Sequence, residues 1–407
     1  MAEPQEKRQK TEDGFKDFLS VQENEELMTL LRIILEELNV GLAHTSVYFV
    51  HVNAANANSY TKFSSATITA EFMQRQYRNR LVPMVAPFAL LFVRGFAILS
   101  DFLNKQDPKI PENIDERRAL LELIQFLTNV NEQSVLNEDR HDSKKESEAV
   151  LLAQHLLIPL VQQKTLVIDS YLDLQSERGC SVEHPMNGTK GDTSYGCPKG
   201  WHGRVDVLLG EQVPVSVVEA AGDKGNADAV SVMSDSWVEV EKDDTFSPES
   251  ISQVMAQTIV NSFVQHKRNP VSSNSLVPGI GIYSKKMVVY MYDCVEDILL
   301  TSGPVALHAD MNASGLNYRA IIILWLGLNY KLFGNATPPK YKHYTSDFHH
   351  VIGPVQLERY KQETEQPFKG KLDEEDFVKL FNEAKETACS QDKVSEFVPE
   401  RKSISLN

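Results

Sequence analysis

The apolar positions near the N-terminus recur at three- and four-residue spacing. "NEELMTLLRIILEEL" (24–38) predicts an amphipathic helix with Asn24 as its cap. "DERRALLELIQFLTNV" (115–130) repeats the pattern, and "SSATITAEFMQRQYRNRL" (64–81) reads as a further helix. Residues 21–130 are therefore expected to form a helical domain, behind a polar tail at 1–20 expected to be disordered. "LVPMVAPFALLFVRGFAIL" (81–99) comes nearest to membrane length, but its two prolines and Arg94 predict a buried helical segment instead of a span. "NEQSVLNEDRHDSKKES" (131–147) is polar and charged and reads as a linker.

The texture changes after it. "ESEAVLLAQHLLIPLVQQK" (146–164) predicts a helix that Pro159 ends or kinks, and "KTLVIDSYLDL" (164–174) allows a strand. "GRVDVLLG" and "VPVSVVEAAG" are short apolar runs with a short connection, read as adjacent strands. Ser247 as cap and Pro248 in the first turn mark the start of a helix over 247–267. Residues 278–284 and 286–293 predict a hairpin, and "YRAIIILWLGLNYKLF" (318–333) a buried helix. The segment 336–407 reads as a polar, partly helical extension, with "DEEDFVKLFNEAKETA" (373–388) as its amphipathic piece.

The net charge of -15 opposes loose attraction of the whole surface to nucleic acid, so any such contact needs a local basic patch. One segment offers it: "PPKYKHYTSDFHH" (338–350) interleaves basic and aromatic residues, a texture that suits single-stranded nucleic acid, whereas "QRQYRNR" (74–80), a second basic segment, reads as a helix face over an acidic neighbour. A plain surface connection is the alternative for 338–350. Four cysteines in 407 residues and an N-terminus without an apolar signal core point to a reducing compartment, cytoplasm or nucleus, and to no membrane partner. The spacing of Cys180, His184, Cys197 and His202 offers zinc-type ligands, with a flexible loop as the alternative.

Two acids stand out. Asp206 lies inside one predicted strand and Glu219 ends the next, where an unpaired charge is costly to bury. They are either an ion pair with Arg204 and a strand exit into solvent, or a cation site. The order helix, strands with these acids, helix, hairpin, helix over 146–333 resembles the PD-(D/E)xK nuclease superfamily. The resemblance implies, after the N-terminal helical domain read from apolar spacing, a restriction-endonuclease-like α/β core at 148–335, giving an α+β or α/β chain with a mixed central sheet and αβββαβ order. It also implies Mg²⁺ held by Asp206 and Glu219, Glu148 as a helix acid, and Gln253 and Gln257 lining the cleft. Ala221 stands where the superfamily motif has lysine, with Lys224 as a substitute. The implied function is Mg²⁺-dependent phosphodiester hydrolysis, or nucleic-acid binding by a degenerate nuclease fold. The other class of reading is a protein-interaction scaffold whose helical domain takes a partner.

Overall fold

The computed structural model describes residues 14, 15, 18, 24–41, 45–129, 133, 136, 145–162, 165–170, 189–210, 212–218, 246–272, 274–283, 285–309 and 315–368. The chain divides into two units, 1–368 and 369–407, and the described residues all belong to the first. The helices used below are α1 (Asn24–Val40), α2 (Val93–Phe102), α3 (Ile114–Thr128), α4 (Lys145–Leu152), α5 (Pro248–Arg268), α6 (Tyr318–Leu328) and α7 (Phe348–Glu363). The strands are β1 (Ser46–Ala54), β2 (Thr61–Lys62), β3 (Ile68–Phe72), β4 (Gln74–Tyr77), β5 (Arg80–Pro83), β6 (Val85–Pro87), β7 (Leu166–Asp169) and β8 (Thr189–Gly191), then β9 (Tyr195–Gly196), β10 (Trp201–Gly203), β11 (Val207–Leu209), β12 (Val213–Val217), β13 (Leu276–Tyr283), β14 (Lys286–Asp293), β15 (Ile298–Thr301) and β16 (Val305–Ala306).

The architecture is α+β around a mixed sheet in the order β3-β1-β15-β14-β13-β12-β11-β7-β8. Its central strands are buried on both faces, which is why they read as unbroken apolar runs. Along β14, Met287, Val289 and Met291 join one core while Val288, Tyr290 and Tyr292 join the other. Helices α1, α2, α3, α4 and α6 cover the first face, and α5 and α7 the second. Strands β7, β11 and β12 run antiparallel in turn, and α5 then carries the chain to β13, parallel to β12. That crossover packs tightly, because Gly279 and Gly281 of β13 leave room for Thr258 and Val254 of α5.

Several expectations match. Helix α1 covers 24–40, α3 starts at an Asn113 cap, and Ser247 Oγ accepts the Ser250 N–H at 3.0 Å to start α5. The predicted strand pair is β11–β12 and the predicted hairpin is β13–β14. After α4 the chain widens into a π turn over Ala153–Leu157 and ends at Leu160, next to Pro159, which has no N–H to give the turn before it.

Others change. The helix expected over 64–81 is replaced by β3, β4 and β5. The alternation "ITAEF" has period two, and β1 offers β3 an antiparallel partner, so tertiary pairing overrides the weaker helical spacing. Residues 21–130 are thus not wholly helical, and β1 lies within the central sheet beside β15. The segment 81–99 likewise contains β5 and β6 before its helices. Phe15 and Phe18, inside the expected tail, are buried with ring centroids 5.7 and 5.9 Å from Phe102. Helix α6 ends at Leu328 and a separate turn follows at Tyr330–Phe333. The amphipathic piece 373–388 and most of the linker 131–147 lie outside the described residues.

Candidate functional site

Strand direction places the acids. Strands β7, β8, β12 and β13 run the same way, with β11 antiparallel between β7 and β12. The carboxyl ends of β7, β8 and β12 and the amino end of β11 therefore share one edge of the sheet. Asp169 ends β7, Asp192 follows β8, Asp206 precedes β11, and Glu219 follows β12 by two residues. Glu219, Ala221 and Lys224 lie outside the described residues.

Asp206 is buried. Val205 joins one core and Val207 the other, so the backbone bends between them. Backbone pairing of β11 with β12 ends at Val207↔Val215. Past that point the Asp206 carboxylate substitutes for a backbone carbonyl, and its Oδ2 accepts the Val217 N–H at 2.8 Å. On the other side the Asp206 carbonyl accepts the Asp169 N–H at 3.0 Å. A carboxylate inside an apolar run is thus tolerated in part because it completes the ladder where the strand bends.

Arg204 reaches two acids carried by neighbouring strands. Its Nε donates to Asp169 Oδ1 at 2.8 Å, and its Nη2 lies 3.0 Å from Asp192 Oδ1 and 3.4 Å from Ser170 Oγ. Asp169 is buried, and Asp192 also accepts the Ser194 N–H at 2.9 Å. Asp169 and Asp192 were not singled out by sequence reasoning. The signal for Asp169 was present, since it closes the run "LVID" much as Glu219 closes its own.

Glu148 sits on α4, which packs against β12. It is half-buried, and it makes no hydrogen bond or ion pair with any described residue. Burial pushes its carboxyl above the ordinary range. Gln257, in contrast, is used internally. Its Oε1 accepts from Ser216 Oγ at 3.0 Å, its Nε2 reaches the Arg204 carbonyl at 3.4 Å, and its own carbonyl takes the Tyr195 hydroxyl at 3.1 Å. Gln253, half-buried, lies one turn nearer the N-terminus of α5, and Val254 beside it packs on Gly281 toward the carboxyl end of β13.

Of the zinc set, Cys180 and His184 lie outside the described residues. Cys197 is buried, and burial pushes its thiol up to about 11. The His202 ring stacks on Tyr60 at 3.8 Å and on Phe368 at 5.0 Å. Among the described residues no three His, Cys, Asp or Glu side chains form a metal-binding group.

The basic-aromatic segment 338–350 turns its rings inward. Tyr341 and Phe348 are buried, Tyr341 and Tyr344 pack on Phe49 at 5.1 and 5.2 Å, and Lys342 pairs with Glu296. Those rings are not free to stack on bases. No helix among the described residues is long and apolar enough to cross a membrane. Comparison with family models, curated proteins and solved structures returns no match to this chain.

Proposed function

We propose that the α/β portion is a nuclease-like domain that binds nucleic acid and Mg²⁺ and cleaves weakly or not at all. The observation that carries this reading is the collection of Asp169, Asp192 and Asp206 at the carboxyl edge of parallel strands, with Glu219 two residues past β12. Open α/β sheets take their ligands outside that edge. The order α4, β7, β11, β12, α5, β13, with β8, β9 and β10 inserted between β7 and β11, supports the same reading, since it is close to the αβββαβ order that the resemblance implies. Glu148, half-buried and without a partner among the described residues, adds a carboxylate on the helix packed against β12.

The donor set suits a hard cation, because every candidate ligand is a carboxylate oxygen. Asp206, Glu219 and Glu148 would hold Mg²⁺, which when bound lowers the pKa of a ligated water and neutralises charge on the phosphate. The protein's own contribution is to position the acids. Asp206 is fixed by the Val217 N–H, and Gln253, half-buried near the start of α5, would line the cleft. Ala221 removes the lysine that would orient the attacking water, so cleavage suffers more than binding. Arg204 is a cation at this edge, but Asp169 and Asp192 already engage it.

The test is a calorimetric titration of Mg²⁺ and Mn²⁺ into metal-free protein, beside cleavage assays on single- and double-stranded DNA and RNA. The expected outcome is divalent binding that weakens about tenfold or more in Asp206→Asn and Glu148→Gln, with little cleavage until Ala221→Lys is introduced. Absence of divalent binding in the unaltered protein would overturn the metal site. Brisk cleavage by the unaltered protein would overturn the degenerate assignment and point to Lys224, which Lys224→Ala separates.

A further inference from the structure

The hairpin β4–β5 forms a two-stranded sheet of its own, apart from the central one. Every residue of β4 is exposed, and so are Arg80 and Leu81 of β5. The register pairs Arg75 with Val82 and Tyr77 with Arg80. Because side chains alternate along a strand, Arg75, Tyr77, Arg80 and Val82 share one face. Arg78 and Asn79 form the turn, both at positive φ (46° and 62°), the geometry a two-residue hairpin loop needs. Tyr77 is 52% exposed, and Arg78 lies 5.2 Å from its ring centroid.

The segment 73–83 contains three arginines and no acid, in a chain of net charge -15. Arg75, Arg78 and Arg80 make no ion pair with any described residue. Three unpaired arginines beside an exposed tyrosine do nothing for the core. The hairpin is firmly rooted as well. Met73 and Met84 at its base are buried, the Met73 N–H donates to the Phe49 carbonyl at 2.9 Å, and the Phe49 N–H donates to the Met84 carbonyl at 3.1 Å. It is a short arm anchored on β1, and its charge is opposite to that of the chain as a whole.

We infer that the β4–β5 hairpin is a nucleic-acid-binding arm, with Arg75, Arg78 and Arg80 on backbone phosphates and Tyr77 against sugar or base. A duplex is the favoured ligand. A two-stranded ribbon with strands about 5 Å apart enters a major groove about 12 Å wide, and arginine forks match phosphate oxygens. The inference deepens the function proposed above and shares its ligand class, yet it rests on residues far in sequence from the acidic edge.

The test measures binding of the full-length protein in EDTA to a labelled 30-bp DNA duplex by fluorescence anisotropy, as salt is varied. Parallel arms use single-stranded DNA of the same length and vesicles containing phosphatidylserine. Three phosphate contacts contribute a slope of about -2.7 in log K against log salt, or roughly 40-fold over a fourfold rise in salt. The combined variant Arg75→Ala, Arg78→Ala, Arg80→Ala should lose about that slope and weaken binding about tenfold or more. The corresponding Arg→Lys variant should stay within a few-fold of the unaltered protein, and both should melt with it because the residues are exposed. Duplex binding unchanged by the alanine variant would overturn the arm while leaving the nuclease-like reading standing. Arginine-dependent binding with no divalent binding at the acids would overturn that reading and leave the arm. No binding to duplex, or arginine-dependent binding only to single strands or vesicles, would overturn the arm as a duplex contact.

Discussion

Replacing Asp206 tests its place in the strand ladder. The Asp206→Ala variant removes the acceptor for the Val217 N–H, a 2.8 Å bond between buried groups at the end of β12. A buried donor left without an acceptor costs about 1–3 kcal/mol. Repulsion from neighbouring acids opposes this, since removing one carboxylate relieves the others. Arg204 already offsets Asp169 and Asp192, so the hydrogen-bond loss should win. At about 2 °C per kcal/mol, the low end for mid-sized domains, Asp206→Ala should melt about 2–6 °C below the unaltered protein in EDTA. Asp206→Asn keeps an oxygen acceptor and should lose less than half of that. Differential scanning fluorimetry of the three proteins at one scan rate and neutral pH measures it. An alanine variant that melts at or above the unaltered protein would refute the strand-capping role and show that charge repulsion dominates this edge.

Gly279→Ala would place a methyl 2.1 Å from Thr258 Oγ1 and 3.0 Å from its Cβ; a loss of about 1–3 kcal/mol is expected by urea denaturation, partly restored by Thr258→Ala. Glu148 has its folded pKa raised by burial, so it penalises the folded state above its unfolded value near 4.5, and the penalty grows as pH rises through the raised value. Glu148→Gln should therefore stabilise metal-free protein at pH 8 and leave it unchanged at pH 4; thermal melts with the opposite ordering would exclude desolvation as the cause. Burial pushes the Cys197 and Cys294 thiols up to about 11 and about 12. With Cys180 and Cys389 replaced by serine, the folded protein should resist a disulfide reagent at pH 8 and titrate both thiols once guanidinium unfolds it; fast labelling of folded protein would contradict this.

What the sequence determined by itself is local. Ser247 and Pro248 begin α5 because a hydroxyl acceptor and a residue without N–H suit a helix start wherever it lies. The runs of β12, β13 and β14 are apolar on both faces and so announce central strands. Asp206 and Glu219 draw attention because charge in such a run is costly.

What the tertiary structure decided depends on partners distant in the chain. Residues 64–81 have enough helical spacing to mislead, and only the Val50↔Phe72 to Ala54↔Ile68 register makes β3 a strand. The basic segment 74–80 changes from a helix face to an exposed arm for the same reason, since Met73 and Met84 attach to Phe49. From the sequence Arg204 has Asp206 in view, two residues away; Asp169 and Asp192, brought to Arg204 by β7 and β8, are visible only in the fold. Local propensity is written in neighbouring residues. A charge's partner and a strand's register are set by whichever chain the fold brings within a few ångströms, and that information is spread over hundreds of residues.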